Sequence, residues 1–247
     1  GRLSLEVSPE GADAPADESN LVLKAARLLQ RETAGTRGAA LALTKRIPAG
    51  RGLGGGSSDA AATLVLLSAL WGLDVSPSRV EQLAARLGSD VPFFLNGPLA
   101  IVRGRGERIH SVEPRGALDR LWVVLVVPPR QISTPEVYAR AKPSLTRAIG
   151  AGSFWCTLLL EGHVRELGKC LSNDLELPAQ AVWGGLRTLR HILEDAGACC
   201  VSMSGSGSAM FALTREEGDA RQLAERLRPV ARGDVHVLRP WNAGGPS

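Results

Sequence analysis

The chain has 247 residues, enough for one large domain or two smaller ones with a buried core. Hydrophobic residues make up 44% and charged residues 22%, as in soluble globular proteins, and the longest apolar run, 121–127, is far too short to span a membrane. The net charge is +4, but the basic residues are dispersed, which argues against a nucleic-acid partner. The four cysteines lack C-x-x-C spacing and the histidines are scattered, so no zinc site is expected. Without a visible signal peptide, we expect a cytoplasmic location, or the plastid stroma in a plastid-bearing organism.

The first half of the chain begins with a loop rich in Pro, Asp, Ala and Glu at 8–19. The segment around Leu41 and Leu43 alternates between apolar and other residues, and we predict a half-exposed antiparallel strand there. A hairpin is expected around 104–107. Helical periodicity predicts helices at 20–31, 57–72 and 77–87.

The second of these helices has one apolar face and a choice of capping residue. Its apolar positions fall at i, i+4, i+7 and i+11, namely Ala60, Leu64, Leu67 and Trp71. Either Ser58 or Asp59 can cap its N-terminus. The segment that precedes this helix is therefore expected to belong to a folded domain.

A second unit is expected to begin near 117–120, which gives predicted domains at 1–118 and 119–240 and a tail at 241–247. A continuous apolar strand at 122–127 opens this unit. Helical patterns follow near 135–142, 153–168, 178–196 and 216–228, and strands are predicted at 199–203, 208–213 and 234–238. Helices and strands are mixed without strict βαβ repetition, so the predicted class is α+β.

The most informative segment runs from Lys45 to Ala61, where five glycines within seven residues precede two serines, an aspartate and a helix-forming stretch. Glycine permits positive φ and lets backbone N–H groups approach a ligand closely. The helix that follows leaves its first N–H groups unpaired and is positive at that end. The segment therefore predicts a phosphate site, whereas a flexible Gly/Ser linker would not run into a well-patterned helix.

Three common phosphate-loop or nucleophile motifs do not account for this segment. Gly50, Gly52 and Gly55 spell G-x-G-x-x-G, but there is no room after Trp71 for the second strand of a dinucleotide-binding unit. No lysine ends the loop as in P-loop NTPases. No serine of the chain lies in a G-x-S-x-G nucleophile elbow.

The whole pattern Pro-x-x-x-Gly-Leu-Gly-Gly-Gly-Ser-Ser-x-Ala-Ala, at 48–61, resembles the GHMP kinases. The resemblance narrows, through further motifs at 87–94, 104–107, 172–176 and 202–209, to the kinases of 4-diphosphocytidyl-2-C-methyl-D-erythritol in non-mevalonate isoprenoid synthesis. It covers nearly the whole chain, from about Asp17 to Ala212. The implied fold has a ribosomal S5 domain 2-like N-terminal domain, whose first strands are missing here, and a ferredoxin-like C-terminal domain.

The resemblance also implies ATP and Mg²⁺ as cofactors, a small-molecule acceptor, and a monomer or homodimer. It makes Asp90 the catalytic base and Ser58 a candidate Mg²⁺ ligand. Adenine is expected at Asn20, Leu21 and Lys45. The ATP phosphates are expected at Pro48, Gly50, Gly52, Leu53, Gly54, Gly55, Gly56, Ser57 and Ser58. The acceptor is expected at Thr134, Tyr138, Gly205, Ser206 and Gly207, with Tyr138 stacked on the cytosine ring.

Residue type alone leaves other roles open for these side chains. Asp90 could cap a helix or turn, Leu21 could belong to the core, and Lys45 could be a solvated strand charge. Tyr138 could be a packing residue, and 205–207 a plain β-turn.

The family pattern has Pro-x-Lys-x-Asn and Asp-Gly-Tyr-His motifs ahead of the matching region, and the sequence from Gly1 onward contains neither. The first expectation is a shortened kinase of this family. The alternatives are a protein that binds ATP without efficient catalysis, or a GHMP kinase with another acceptor.

Overall fold

The computed structural model describes residues 1–9, 13–33, 35–106, 108–114, 116–141 and 151–241. Its contacts divide the chain into two units, Gly1–Ala49 with Gly54–Val112, and Gly50–Leu53 with Glu113–Ser247. The glycine-rich segment is thus divided between Leu53 and Gly54. The domain limits at 118 and 240 stay predictions, and the predicted tail beyond Trp241 lies outside the described residues.

The first unit begins with strand β1 (Leu3–Ser8), helix α1 (Leu21–Glu32) and strand β2 (Ala39–Thr44). β1 and β2 pair in parallel, with Leu3 opposite Ala39. The antiparallel direction predicted for this strand was therefore wrong. Alternating burial reports which face of a strand is covered, whereas the helical crossover through α1 sets the direction.

Helices α2 (Gly55–Leu70) and α3 (Pro77–Leu87) pack with α1 in the core of this unit. The predicted apolar face of α2 is confirmed, because Leu64 is fully buried and Trp71 is 5% exposed. Burying a leucine of this kind stabilises the fold by about 1.5–3 kcal/mol. After α3 come a 3₁₀ turn (Pro92–Leu95) and the predicted hairpin of β3 (Ala100–Arg103) and β4 (Arg108–Ser111).

The second unit contains an antiparallel sheet of strands β5 (Trp122–Val127), β6 (Val201–Met203), β7 (Met210–Thr214) and β8 (Asp234–Leu238). Their order across the sheet is β6-β7-β5-β8. Helices join β5 to β6, a tight turn joins β6 to β7, and helix α9 joins β7 to β8. The predicted ferredoxin-like topology is confirmed. These helices are α4 (Thr134–Arg140), α5 (Ala151–Leu160), α6 (Val164–Cys170), α7 (Glu176–Val182), α8 (Gly185–Asp195) and α9 (Glu217–Leu227).

Two helices predicted as continuous are each divided in the structure. The 153–168 pattern forms α5 and α6, because Gly162 takes a left-handed conformation with φ +75°. The 178–196 pattern forms α7 and α8, separated at Trp183, which is extended. Within the described ranges, no helix combines the length and the apolar character needed to cross a bilayer.

Candidate active site

The first turn of α2 presents unpaired backbone donors. Gly54 precedes the helix with φ +66°, and among the residues that the structure describes no side chain caps the N-terminus. The first helical bond runs from Ser58 N to Gly54 O at 2.9 Å, so the N–H groups of Gly55, Gly56 and Ser57 have no partner within the helix. The cap predicted at Ser58 or Asp59 was wrong, because the helix begins ahead of both residues. Sixteen residues of helix place positive potential at these donors, which suits a phosphate group.

Glycine is required at this turn because neighbouring side chains approach its backbone. A Cβ atom on Gly54 would lie 2.8 Å from the Phe94 ring. One on Gly55 would lie 2.9 Å from Ile47 Cγ2 and 3.1 Å from Lys45 Nζ. The glycines thus let both an aromatic ring and a cation reach the helix N-terminus.

Lys45 supplies that cation. Its side chain is only 6% exposed, and Nζ lies 2.5 Å from Asp59 Oδ2. The alternative of a solvated strand charge is therefore excluded. The ammonium group adds to the positive potential of the helix end, while Asp59 fixes its position beside Gly55.

Asn20 and Leu21 lie where α1 begins. Asn20 caps this helix, accepting from Val22 N at 2.9 Å through Oδ1 and donating to Pro15 O at 2.6 Å through Nδ2. Leu21 lies against the same turn of α2 as Lys45, since a Cβ on Gly56 would be 3.4 Å from Leu21 Cδ1. The structure therefore brings Leu21 and Lys45 together and gives Asn20 a structural bond. Adenine binding by the three stays a prediction.

Asp90 lies in the turn between α3 and the 3₁₀ segment. Val91 N donates to Gly88 O at 3.2 Å to close this turn, and Val91 is fully buried while Asp90 is exposed. The residue that precedes the 3₁₀ segment is Val91, so Asp90 does not act as its cap. Within the described ranges its carboxylate has no hydrogen-bond or ion-pair partner. Its role as the catalytic base stays a prediction.

The turn at Asp90 is supported by the β3–β4 hairpin. Gly106 has φ +113°, and a Cβ there would lie 2.3 Å from Ser89 O. Only glycine permits this approach of two backbones. The Gly104-Arg105-Gly106 motif therefore helps to position the residue before Asp90, a role that sequence analysis missed.

Two predicted acceptor residues, Thr134 and Ser206, meet in the second unit, and Tyr138 lies on the same helix as Thr134. Thr134 Oγ1 lies 2.7 Å from Ser206 Oγ, at hydrogen-bonding distance. Tyr138 follows Thr134 by one turn of α4, hence on the same helical face, and its side chain is 60% exposed. An exposed ring is available for stacking and does not fill the core. The acceptor role of these residues stays a prediction.

Gly205 and Gly207 form the turn between β6 and β7, with φ +53° and +85°. The turn is closed by Gly207 N donating to Ser204 O at 2.9 Å. It is a β-turn, and it carries the Ser206 hydroxyl group that lies next to Thr134. Its predicted role toward the acceptor stays a prediction.

Asn173 holds this turn in place, which the sequence did not reveal. Its Nδ2 donates to Met203 O at 2.9 Å and to Gly205 O at 2.8 Å, and its Oδ1 accepts from Leu175 N at 2.9 Å. Next in the same motif, Glu176 is buried and forms an ion pair with Arg190. That hydrogen-bonded pairing raises the pKa of the Arg190 guanidinium. The sequence signal for this role was the polar motif at 172–176, which lies ahead of helix α7.

The earlier part of the glycine segment, 50–53, packs within the second unit. A Cβ on Gly52 would lie 2.1 Å from Ser204 O, and Ser204 Oγ donates to Gly52 O at 2.8 Å. Gly50 is exposed with φ +65°, and Pro48, in the first unit, is half-buried. Phosphate binding by Pro48, Gly50, Gly52 and Leu53 stays a prediction.

The hydroxyl group of Ser58, on α2, is the candidate ligand for Mg²⁺. Ser58 Oγ donates to Gly55 O at 2.8 Å, which leaves its lone pairs for a cation. Mg²⁺ bound with ATP needs only one or two protein oxygens, because phosphates and water supply the others. A single hydroxyl therefore fits, and within the described residues no group of three or more His, Cys, Asp or Glu offers a separate metal site.

Comparison with known proteins assigns the family. Residues 20–98 match the GHMP kinases N terminal domain, and 157–231 match the GHMP kinases C terminal domain. The 4-diphosphocytidyl-2-C-methyl-D-erythritol kinase of Pelotomaculum thermopropionicum is 41% identical over 238 residues, covering 96% of this chain and 80% of that one. That of Salinibacter ruber is 37% identical over 218 residues, covering 87% and 75%. A crystal structure of 4-(cytidine 5'-diphospho)-2C-methyl-D-erythritol kinase matches with TM-score 0.76 and 34% identity, covering 97% of this chain and 83% of that one. The chain belongs to the 4-diphosphocytidyl-2-C-methyl-D-erythritol kinase family of GHMP kinases.

Proposed function

We propose that this chain transfers the γ-phosphoryl group of ATP to the 2-hydroxyl group of 4-diphosphocytidyl-2-C-methyl-D-erythritol in the cytoplasm. The observation that carries the reaction type is the uncapped first turn of α2, with its free N–H groups and the buried Lys45 beside it. The acceptor is supported by the names of relatives 35–41% identical to the chain.

ATP binds with its phosphates at the N–H groups of Gly55, Gly56 and Ser57. Lys45 neutralises part of their charge, and the adenine ring lies toward Leu21 and Asn20. Phosphoryl transfer depends mainly on such positioning and charge neutralisation. Bound Mg²⁺, held by Ser58, would neutralise further phosphate charge.

Asp90 accepts the proton of the acceptor's 2-hydroxyl as that oxygen forms its bond to the γ-phosphorus. The bond from the γ-phosphorus to the bridging oxygen breaks, and ADP leaves with the electron pair. An exposed carboxylate on a turn fixed by Val91 is suited to this role, because no hydrogen bond in the described residues occupies it.

The cytidine end of the acceptor binds in the second unit. Tyr138 stacks on the cytosine ring, and Thr134 with the 205–207 turn binds the polar part of the molecule. The Thr134–Ser206 hydrogen bond fixes the relative position of α4 and this turn.

The proposal is tested by ATP-dependent transfer to three acceptors, diphosphocytidyl-methylerythritol, homoserine and phosphomevalonate. We expect the first to be phosphorylated fastest, with the phosphate on its 2-oxygen. Faster transfer to another acceptor, or ATP binding without transfer to any, would contradict the proposal.

The role of Asp90 is tested separately by Asp90→Asn. Loss of a general base lowers kcat by about 10²–10⁴-fold, with ATP affinity unchanged. Asp74→Asn makes the same chemical change at an exposed carboxylate after α2 and serves as the control. An unaffected rate in Asp90→Asn would remove Asp90 from the mechanism.

A further inference from the structure

Arg51 is a buried arginine inside the glycine-rich segment. It lies between Gly50 and Gly52, both with positive φ, and is only 8% exposed. Its Nη2 donates to Pro129 O at 2.8 Å. Its Nε and Nη1 are covered by protein and have no hydrogen-bond partner among the described residues.

This arrangement leaves a positive charge without compensation. Guanidinium stays protonated in proteins, and a buried charge without a counter-charge is unfavourable. Arg190 shows the ordinary solution in the same unit, because its guanidinium pairs with both Glu176 and Glu194. In the part of the chain that the structure describes, Arg51 has no such carboxylate.

The side chain of Arg51 is not needed to attach this segment. Ala209 N donates to Arg51 O at 3.0 Å, and Ser204 Oγ donates to Gly52 O at 2.8 Å. Backbone contacts at Gly52 add close packing to these two bonds. A purely structural role for Arg51 therefore does not account for its unpaired Nε and Nη1 atoms.

We propose that Arg51 is an anion-binding residue, whose counter-charge is a phosphate group of a ligand bound at the glycine-rich segment. The proposal rests on the proposed function and deepens it, because ATP carries a triphosphate and the acceptor carries a diphosphate. Guanidinium presents its N–H donors in a planar fork that matches two phosphate oxygens. Since protein atoms cover Nε and Nη1, the side chain shifts as the anion binds.

The test compares wild-type protein with Arg51→Met, which keeps the length of the side chain and removes the charge. Calorimetry measures the binding of ADP, adenosine, CDP and cytidine. We expect at least about tenfold weaker binding of one diphosphate and no change for its nucleoside, because only the phosphates meet the guanidinium. Loss confined to ADP identifies the ATP phosphates, and loss confined to CDP identifies the acceptor diphosphate.

Arg46→Met is the matched control, since Arg46 is exposed on the same connection and its loss changes the net charge equally. We expect its affinities to stay within about twofold of the wild type, because exposed charges are screened. Ligand-free Arg51→Met should unfold at the same temperature as wild type or higher, because an uncompensated buried charge is gone.

Unchanged affinity for both ADP and CDP in Arg51→Met would overturn the inference, as would failure of the wild type to bind either. If Arg51→Met does not fold, Arg51→Lys carries the test, because it keeps the charge but loses the planar fork. Weaker diphosphate binding by that variant supports the inference, and equal binding overturns it. These measurements need no turnover, so a wild type that binds the diphosphates but transfers no phosphate contradicts the proposed function alone.

Discussion

Two turns of this chain are rich in glycine and serine but differ in their hydrogen bonding. The first, 54–58, opens α2, and within the described residues its first backbone N–H groups have no partners and no side chain caps it. The second, 204–208, joins β6 to β7 and is held by Asn173, which donates two hydrogen bonds to it. Similar composition therefore gives a helix start with unpaired N–H groups in one unit and a turn held by a side chain in the other.

The two turns also differ in which atoms occupy the space that a Cβ atom would take at their glycines. At Gly55 the space is taken by the side chains of Ile47 and Lys45. At Gly52, which packs against the second turn, the space is taken by the backbone oxygen of Ser204. We expect substitutions at the first turn to change ligand binding, and substitutions against the second to change folding.

The largest effect is expected from Gly52→Ala. The added Cβ would lie 2.1 Å from Ser204 O, and the residue has φ +74°. Such a clash together with left-handed strain lowers the free energy of unfolding by about 3 kcal/mol or more. Chemical denaturation measures it, and a loss below about 1 kcal/mol would show that the backbone packing is adjustable.

Asn173→Ala should have the next largest effect. It removes the donor from the partly buried carbonyl group of Met203 and from the exposed carbonyl group of Gly205, which costs about 1–2 kcal/mol, and it loosens the turn that holds Ser206. We expect the KM for the acceptor to rise while the KM for ATP stays constant. Asn173→Asp, which keeps the shape and loses the donor, should behave in the same way, and an equal rise in both KM values would contradict this assignment.

Lys45→Met tests the first turn. It removes the buried cation and leaves the Asp59 carboxylate beside the N-terminus of α2. ATP affinity should fall by about 10–100-fold, because negative charge then faces the phosphates, and adding Asp59→Asn should restore part of it. Lys24→Met, on exposed α1 surface, is the control. Equal ATP affinity in all variants would remove Lys45 from the phosphate site.

The smallest effect is expected from Gly56→Ala. The added Cβ meets only Leu21 Cδ1, at 3.4 Å, within a helix where alanine is favoured over glycine. Thermal unfolding should therefore show a gain of about 0.5–1 kcal/mol. A loss of stability as large as that of Gly52→Ala would show that substitutions at the first turn also impair folding.

Local pattern predicted much of this fold. The apolar spacing of α2, Pro77 in the first turn of α3 and the 100–111 hairpin follow from neighbouring residues alone. The parallel pairing of β1 and β2 does not, because strand direction depends on a crossover and not on alternation.

Within the candidate site, the glycines of α2 were recognisable because their spacing before a helix has few other uses. The hydrogen bonds from Asn173 to the 204–208 turn and the packing of Gly106 against Ser89 were not recognisable, since each depends on a contact between residues distant in sequence. The burial of Lys45 was missed for the same reason, because its partner Asp59 lies on another element.

In the proposed function, the N–H groups at the start of α2 bind the phosphates of ATP. The most direct measurement is the amide NMR spectrum of ¹⁵N-labelled wild-type protein titrated with ATP and, separately, with adenosine. We predict that the signals of Gly55, Gly56 and Ser57 shift with ATP and stay in place with adenosine. Unchanged signals from these three amides at saturating ATP would show that the phosphates of ATP do not bind at this helix N-terminus.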